Sequence, residues 1–237
     1  MDPELAGVKE MQELQAVVAD FVSRRDRVRV LEAGCGSLTH VDLGEHAYVV
    51  GIDISEIQLE KNSGLDEKIL GDVESHDFPA ASFDAIVCWY VFEHLKHPER
   101  ALARFAKSLR PGGIIVLALP NAHSVKGLIT KFTPFRFHTW VRRRLLGRPH
   151  AGTPGHGPFP TFLRFSVAPQ PLRRLAAQLG LSVRYLGIFE DPKQAVIRKK
   201  FGMVGPVWRW VQGSTRALTG GRLETARTEC MVVLQAL

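Results

Sequence analysis

The chain has 237 residues, of which 45% are hydrophobic and 23% charged, and this composition excludes a chain that is disordered throughout. It contains no run of about 18 apolar residues, so we expect no transmembrane helix. The acidic N-terminus lacks the apolar segment of a secretory signal, and the three cysteines are far apart without metal-ligand spacing. We therefore expect a cytoplasmic protein without a metal site.

The two halves of the chain carry opposite charge. Residues 1–120 contain 12 Lys and Arg against 20 Asp and Glu, whereas residues 121–237 contain 19 against 4. This asymmetry predicts two separate tasks. The basic half could face an anionic substrate, the surface of an anionic membrane, an acidic carrier protein or nucleic acid. Alternatively, its arginines only keep the surface hydrated.

Strand and helix patterns alternate over the first half of the chain. Apolar residues at helical spacing between Leu5 and Val22 predict an N-terminal helix. The strands predicted after it are 28–32, 48–53, 68–71, 83–89 and 113–119, and the helices are 55–62 and 98–109. Residues 42–46 leave room only for a short helix between the first two strands. The alternation predicts a doubly wound, parallel α/β sheet.

This rhythm is interrupted twice after Pro120. The first insertion, residues 121–168, contains a basic and apolar helix pattern over 137–146 and a Gly- and Pro-rich loop over 147–160. A helix over 171–179 and a strand over 181–189 follow. The second insertion, residues 191–222, carries two tryptophans among basic residues, and a strand over 228–235 closes the pattern.

Residues with binding chemistry follow three successive predicted strands. Gly34 and Gly36 follow the first strand, where the absence of a Cβ lets the backbone approach a ligand closely. Asp53 ends the second strand, where a carboxylate can accept both ribose hydroxyls of an adenosine ligand. Asp72 follows the third strand, where it either holds an adenine amine or only caps a turn.

With these acids, the segments 30–36, 50–55, 71–72, 82–87, 92–95 and 109–113 resemble the class I S-adenosylmethionine-dependent methyltransferases. The resemblance implies a Rossmann-like, seven-stranded sheet with helices on both faces and an antiparallel last strand. It also implies one domain over residues 1–237, with an N-terminal helix (1–25), a cofactor-binding half (26–120) and the two insertions as a lid over the substrate.

The resemblance implies S-adenosylmethionine as the cofactor, released as S-adenosylhomocysteine. The cofactor-binding residues it implies are Glu32, Ala33, Gly34, Cys35, Gly36, Asp53, Ile54, Gln58, Asp72, Val73, Cys88 and Trp89. One departure is Leu38, which stands where the family has a third glycine. A nicotinamide enzyme is disfavoured because Thr39, three residues after Gly36, breaks the dinucleotide fingerprint.

The acceptor chemistry depends on residues past the fourth and fifth strands. His94, His123 and Tyr90 are candidates for the base that removes a proton from the acceptor, although His94 could instead only order its loop. The aromatic and basic insertions favour an apolar or lipidic small-molecule acceptor, or form a satellite core. We expect metal-independent O-methylation, with possible contact to an anionic membrane or acidic carrier. The alternatives are an RNA methyltransferase, although no nucleic-acid-binding module is present, and an inactive binding protein.

Overall fold

The computed structural model describes residues 7–144, 147, 149–150, 152–153 and 159–237. Its strands are β1 (Val28–Ala33), β2 (Ala47–Asp53), β3 (Glu67–Leu70), β4 (Phe83–Trp89), β5 (Leu109–Pro120), β6 (Leu181–Phe189) and β7 (Glu229–Ala236). They form one seven-stranded sheet in the order β3-β2-β1-β4-β5-β7-β6. β7 runs antiparallel to both of its neighbours, and the pairs among β1 to β5 are parallel. The predicted sheet, with its antiparallel last strand, is confirmed.

The helices lie between the strands and within both insertions. They are α1 (Val8–Ser23), α2 (Glu56–Lys61), α3 (Pro98–Ser108), α4 (Val125–Phe132), α5 (Phe135–Arg144), α6 (Pro169–Gln178), α7 (Pro192–Lys200) and α8 (Gly205–Leu218). Proline opens α3 and α6 in the first turn, where its missing N–H costs no hydrogen bond. Short 3-10 helices cover Phe92–His94 and Phe165–Val167. None of the helices in the described ranges is long and apolar enough to cross a membrane.

The two faces of the sheet are covered differently. On one face, Phe105 of α3 and Leu172 of α6 pack in a large core with Ile86 and Leu117 of the central strands. On the other face, α1 contributes Leu14, Val18 and Phe21, and these pack with the buried loop residues Val41 and Leu43. Each face therefore has its own apolar core, as expected for strands that are buried on both sides.

The short helix expected over residues 42–46 is absent, and turns and bends connect β1 to β2. Instead of a helix, the side chain of Gln15 on α1 satisfies the backbone of this loop. Its Nε2 donates to the carbonyl oxygen of Asp42 at 2.6 Å, and the Asp42 N–H donates to its Oε1 at 3.2 Å. Since Val41 and Leu43 still bury their side chains, the loop covers the sheet without helical structure.

Both insertions begin at the edge of the sheet where β1, β2 and β4 end. The first insertion follows β5, and the second leaves β6 and returns to the start of β7. Backbone hydrogen bonds join them, because Glu224 N–H donates to His123 O at 2.8 Å and Val125 N–H donates to Glu224 O at 2.9 Å. Of the pattern predicted over 137–146, residues 137–144 lie in α5 and 145–146 lie outside the described residues. The 147–160 loop is mostly outside them as well.

Candidate functional site

The turn after β1 requires its glycines for two different reasons. Gly34 and Gly36 both have positive φ, +70° and +54°, which side chains other than glycine rarely adopt. A Cβ on Gly34 would also collide with the side chain of Val91, whereas nothing lies within 4 Å of a Cβ placed on Gly36. The turn is thus packed tightly on the segment after β4 at Gly34 and open to a ligand at Gly36.

Asp53 ties this turn to the end of β2. Its two carboxylate oxygens accept hydrogen bonds from the N–H groups of Gly36 and Ser55, each at 2.9 Å. A carboxylate oxygen can accept more than one hydrogen bond, so Asp53 can still accept from ribose hydroxyls. Beside it, the side chain of Ile54 is 76% exposed, although it is apolar. An adenine ring stacked there would cover it.

Three other predicted cofactor-binding residues lie on α2 and after β3. Gln58 is half-buried in the first turns of α2. The Asp72 carboxylate is exposed and accepts from the Glu74 N–H at 2.8 Å, so it orders the turn after β3. Val73 next to it is buried in the core. The capping role of Asp72 is therefore present, at the position where the resemblance places adenine.

A small cavity that is partly open to solvent lies between the glycine turn and β4. Its lining residues are Glu32, Ala33, Gly34, Cys35, Leu38, His40, Val87 and Trp89. The rings of His40 and Trp89 stack with centroids 5.8 Å apart and form one wall. Cys88 is not brought to this cavity, since successive side chains of a strand face opposite ways and its thiol lies in the core on the α3 and α6 face.

Glu32 is the charged group of this cavity. The Thr39 hydroxyl donates to its Oε2 at 3.2 Å, while its Oε1 is buried without a hydrogen-bond partner in the described residues. Burial raises the pKa of Glu32 to about 7. A buried carboxylate with an open oxygen is costly by itself and is complementary to a ligand ammonium group.

Tyr90, directly after β4, has a strained backbone. Its φ is +54°, a left-handed conformation that is uncommon for residues other than glycine and recurs at functional sites. The Tyr90 N–H donates to Ala118 O at 2.8 Å, which fixes the chain at this point. Burial and the negative charge of the nearby Glu229 carboxylate raise the pKa of its hydroxyl far above the ordinary value. Tyr90 is therefore a neutral hydroxyl group at physiological pH.

Two buried carboxyl groups, those of Glu93 and Glu229, lie near the Tyr90 hydroxyl. Each has an Oε2 atom without a hydrogen-bond partner in the described part of the chain. Burial raises the pKa of Glu93 to about 8, and it also raises the pKa of Glu229, although Lys126 opposes the latter shift. Lys126 contacts the carboxylates of both Glu229 and Asp191, and so connects α4 to the beginnings of β7 and α7.

His94 has a defined protonation state. Its Nδ1 lies 2.7 Å from Pro160 O, and because a carbonyl oxygen only accepts, Nδ1 must carry the proton. Nε2 is then the acceptor, and it lies 3.9 Å from Glu93 Oε1. Burial lowers the pKa of His94, with the Pro160 carbonyl opposing, so the ring is neutral at pH 7.

His123 lies on the same edge of the sheet, after β5. Its ring packs near Phe165, with centroids 5.7 Å apart, and burial lowers its pKa. The backbone N–H of His123 donates to Asn121 Oδ1 at 3.0 Å, and this hydrogen bond holds the turn after β5. The structure thus places all three predicted candidates, His94, His123 and Tyr90, at the carboxyl edge of β4 and β5.

Comparison with known proteins decides the family. Residues 8–186 match the family described as a methyltransferase domain, which is most of the chain. The chain belongs to the class I S-adenosylmethionine-dependent methyltransferases. A solved structure from Listeria monocytogenes, assigned to the S-adenosylmethionine-dependent methyltransferases, has the same fold. It aligns with a TM-score of 0.60 at 12% identity over 98% of this chain and 99% of its own.

Two curated relatives of this methyltransferase are named ubiquinone biosynthesis O-methyltransferase. The protein of Hahella chejuensis is 28% identical over 155 residues, which are 56% of this chain and 65% of the relative. The protein of Thiobacillus denitrificans is 28% identical over 184 residues, which are 72% of each chain. The match therefore spans less than two thirds of the Hahella protein.

The residues of this methyltransferase fit S-adenosylmethionine. The open Oε1 of Glu32 suits the ammonium of the methionine part, the space above Gly36 suits close backbone approach, and Asp53 suits the ribose. When bound, the cofactor supplies an electrophilic methyl group on a positively charged sulfur. What this chain supplies is the ordered backbone turn, the buried carboxylate and the wall formed by His40 and Trp89.

The sequence interpretation missed several residues of the site in the methyltransferase. His40 was not singled out, and nothing in its sequence context marks it. Glu93 was used only as part of the matching segment, although an acid beside His94 is a visible signal. Glu229 and Lys126 were missed, and the only sequence signal for Glu229 is a carboxylate at the beginning of an apolar strand.

Proposed function

We propose that this methyltransferase transfers its methyl group to a hydroxyl of an apolar or lipidic small molecule. The observation that carries the proposal is His94, a neutral imidazole whose Nε2 is left as a proton acceptor. A hydroxyl is a weak nucleophile and benefits from a base that removes its proton, whereas a neutral amine does not need one. The names of the two curated relatives also favour an oxygen acceptor.

The transfer forms one bond, breaks one bond and moves one proton. The acceptor oxygen forms a bond to the methyl carbon as the bond from carbon to sulfur breaks, leaving a neutral thioether. His94 Nε2 takes the hydroxyl proton and later passes it to solvent. Tyr90, whose hydroxyl lies near the Glu229 carboxylate, orients the acceptor, and His123 is the second contact. Since the position of the acceptor relative to the methyl carbon determines the rate, these groups act largely by positioning.

Aromatic side chains around the two histidines support an apolar acceptor. Phe159 meets the His94 ring edge to face with centroids 6.0 Å apart, and Phe165 packs on His123. Their segment is docked on the turn after β4, because the N–H groups of Phe162 and Leu163 both donate to Glu93 O. Phe159, Phe162 and Phe165 all remain exposed, so an apolar ligand placed against them would bury their surface.

The rim of this region is basic. Residues 100–189 contain no Asp or Glu at all, and Lys131 lies over the Phe165 ring with its Nζ 4.6 Å from the centroid. A basic rim around an apolar surface suits an acceptor that carries a phosphate or carboxylate next to its hydrophobic part. The acceptor class that we propose is therefore an apolar alcohol or phenol, with an anionic group tolerated.

The test is methyl transfer from labelled S-adenosylmethionine to a panel of hydroxylated and aminated small molecules and to an extract of the source cells. We expect label in methyl ethers that partition into organic solvent. Label in amines, in carbon–methyl products or in RNA would overturn the proposed acceptor while leaving the cofactor assignment intact. Tight binding of S-adenosylhomocysteine with no transfer to any fraction would instead favour the inactive binding protein.

A further inference from the structure

Helix α8 in the second insertion turns apolar side chains to solvent. None of its 14 residues is buried, and Val207, Trp210 and Leu218 are 56%, 72% and 88% exposed. At 100° per residue these three side chains lie on one side of the helix. Phe201 and Val204, just before the helix, are exposed as well. We call these five residues the α8 surface.

One flank of α8, at Trp208, is held against the protein, whereas Arg209 and Arg216 lie exposed on the polar side of the helix. Trp208 is half-buried, and its ring lies under the Arg198 guanidinium at 4.7 Å. Arg198 in turn binds the Glu190 carboxylate through two nitrogens at 2.8 and 2.9 Å, and donates to Met203 O at 2.6 Å. The helix is therefore tied to the end of β6, and its apolar side is presented outward by a defined set of contacts.

The α8 surface lies in a strongly basic segment. Residues 192–223 contain seven Lys and Arg and no Asp or Glu. The exposed cations of this segment that form no salt bridge in the described residues are Lys193, Lys199, Lys200, Arg209, Arg216 and Arg222. Exposed aromatic and aliphatic side chains next to unpaired cations are the pattern of helices that lie in the interface of an anionic membrane.

The position of the second insertion agrees with such a contact. It leaves β6 and rejoins β7 at the same edge of the sheet where Tyr90, His94 and His123 lie. Glu224 joins it to the turn of His123 by backbone hydrogen bonds. A bilayer that contacts α8 would therefore lie near the edge of the sheet that carries the proposed acceptor groups.

We propose that the α8 surface docks peripherally on an anionic lipid bilayer. Val207, Trp210 and Leu218 enter the boundary between headgroups and acyl chains, and Arg209 and Arg216 reach lipid phosphates. Each Lys or Arg near such a surface strengthens binding by about fivefold. A second copy of this chain is a poorer occupant, because pairing two α8 surfaces would bring like charges together. The inference rests on the surface alone and holds whatever atom the enzyme methylates.

The experiment measures co-sedimentation of the purified full chain with vesicles of phosphatidylcholine, alone or mixed with phosphatidylglycerol, at low and high salt. We expect binding only to the anionic vesicles and a marked loss at high salt. The double variants Trp210→Ser/Leu218→Ser and Arg209→Gln/Arg216→Gln should each weaken the partition coefficient by about tenfold or more. Light scattering of each variant without lipid reports its oligomeric state.

Matched controls make changes of the same kind at exposed positions outside α8. Tyr48→Ser removes an exposed aromatic residue at the start of β2, at the opposite edge of the sheet, and Arg173→Gln/Arg174→Gln removes two exposed charges from α6. Both controls should keep vesicle binding. All variants should keep the circular dichroism and the S-adenosylhomocysteine affinity of the parent chain, which separates a docking defect from misfolding and from a failure of the proposed reaction.

Three results would overturn the inference. The first is a folded parent chain that does not bind anionic vesicles at low salt. The second is equal loss of binding in the α8 variants and in the controls. The third is a dimer or an RNA complex that the α8 variants abolish while vesicle binding stays unchanged, since the α8 surface would then belong to that other occupant.

Discussion

The cofactor side and the acceptor side of the site are built in different ways. On the cofactor side, the functional groups follow directly on strand ends, as Gly34 and Gly36 follow β1 and Asp53 ends β2. On the acceptor side, His94 depends on Pro160 for its protonation state, and the pKa of the Tyr90 hydroxyl is raised by burial and by the Glu229 carboxylate. The cofactor side is therefore local in sequence, whereas the acceptor side requires contacts between distant segments.

The largest expected effect is a loss of catalytic rate without a loss of cofactor affinity. Such a result would separate the acceptor side of the site from the cofactor side. We expect His94→Gln to lower kcat by about 10²- to 10⁴-fold, the usual contribution of a general base, with S-adenosylhomocysteine affinity unchanged. In the parent enzyme kcat should rise with pH through the pKa of His94, which burial lowers, and reach its plateau at a lower pH than an ordinary histidine would give. Steady-state kinetics over pH tests both statements.

The control for this prediction is His46→Gln, which changes an exposed histidine just before β2. It should leave the rate and the pH profile as they are. If His94→Gln retains both the parental kcat and the acidic limb of the profile, His94 is not the base, and the same measurement on His123→Gln decides whether that residue is.

The second prediction addresses the cofactor side alone. Asp53→Ala should weaken S-adenosylhomocysteine binding by about 1–3 kcal/mol, or roughly 5- to 150-fold, because charge-assisted hydrogen bonds to the ribose are lost. Isothermal titration calorimetry measures this directly. Asp20→Ala, which removes an exposed acid from α1, is the charge-matched control and should bind like the parent chain. Parental affinity in Asp53→Ala would contradict the assignment.

The third prediction concerns the ion cluster that joins the two insertions. Lys126→Met should lower the free energy of unfolding by about 2 kcal/mol, since Glu229 stays buried without its cation and Lys126 itself is about one-third exposed. Lys107→Met, at an exposed position of α3, should change it little. Denaturant unfolding measures both. Adding Glu229→Gln to Lys126→Met should restore part of the loss, and no restoration would argue against the pair.

The smallest expected effect is a pH dependence of cofactor binding. Because burial raises the pKa of Glu32 to about 7, the carboxyl is largely protonated at pH 6 and cannot pair with the ligand ammonium. S-adenosylhomocysteine affinity should therefore increase by about tenfold between roughly pH 6 and 8. Burial lowers the pKa of His40 in the same cavity, which moves its titration away from that of Glu32. Titration calorimetry of Glu32→Gln should show a flat profile; an unchanged slope would assign the proton elsewhere.

Much of the fold could be predicted from the sequence because its signals are local. The apolar run 83–89 is β4 and the run 181–189 is β6, both with the predicted bounds, since a short apolar segment between turn residues has few alternatives. The glycine turn and the strand-end acids were likewise predictable from their spacing. The helix expected over 42–46 was wrong, because Gln15 of α1 satisfies that loop and no local pattern reports on such a contact.

The sequence by itself determined the class of fold and, through the family that its motifs resemble, the cofactor. These follow from residue type and spacing along single strands and turns. Only the tertiary structure decided which side chains meet at the site. Lys126 and Glu229 are 103 residues apart, and His94 and Pro160 are 66 apart.

The same limit holds for the direction in which a side chain faces. That Cys88 and Trp89 point to opposite sides of the sheet follows from the strand period, but which side holds the cavity is set by packing. Likewise, the apolar residues of α8 look like a core stripe in the sequence, and only their exposure in the fold reveals an uncovered surface. Contacts that depend on the path of the whole chain leave no signature in any one segment of it.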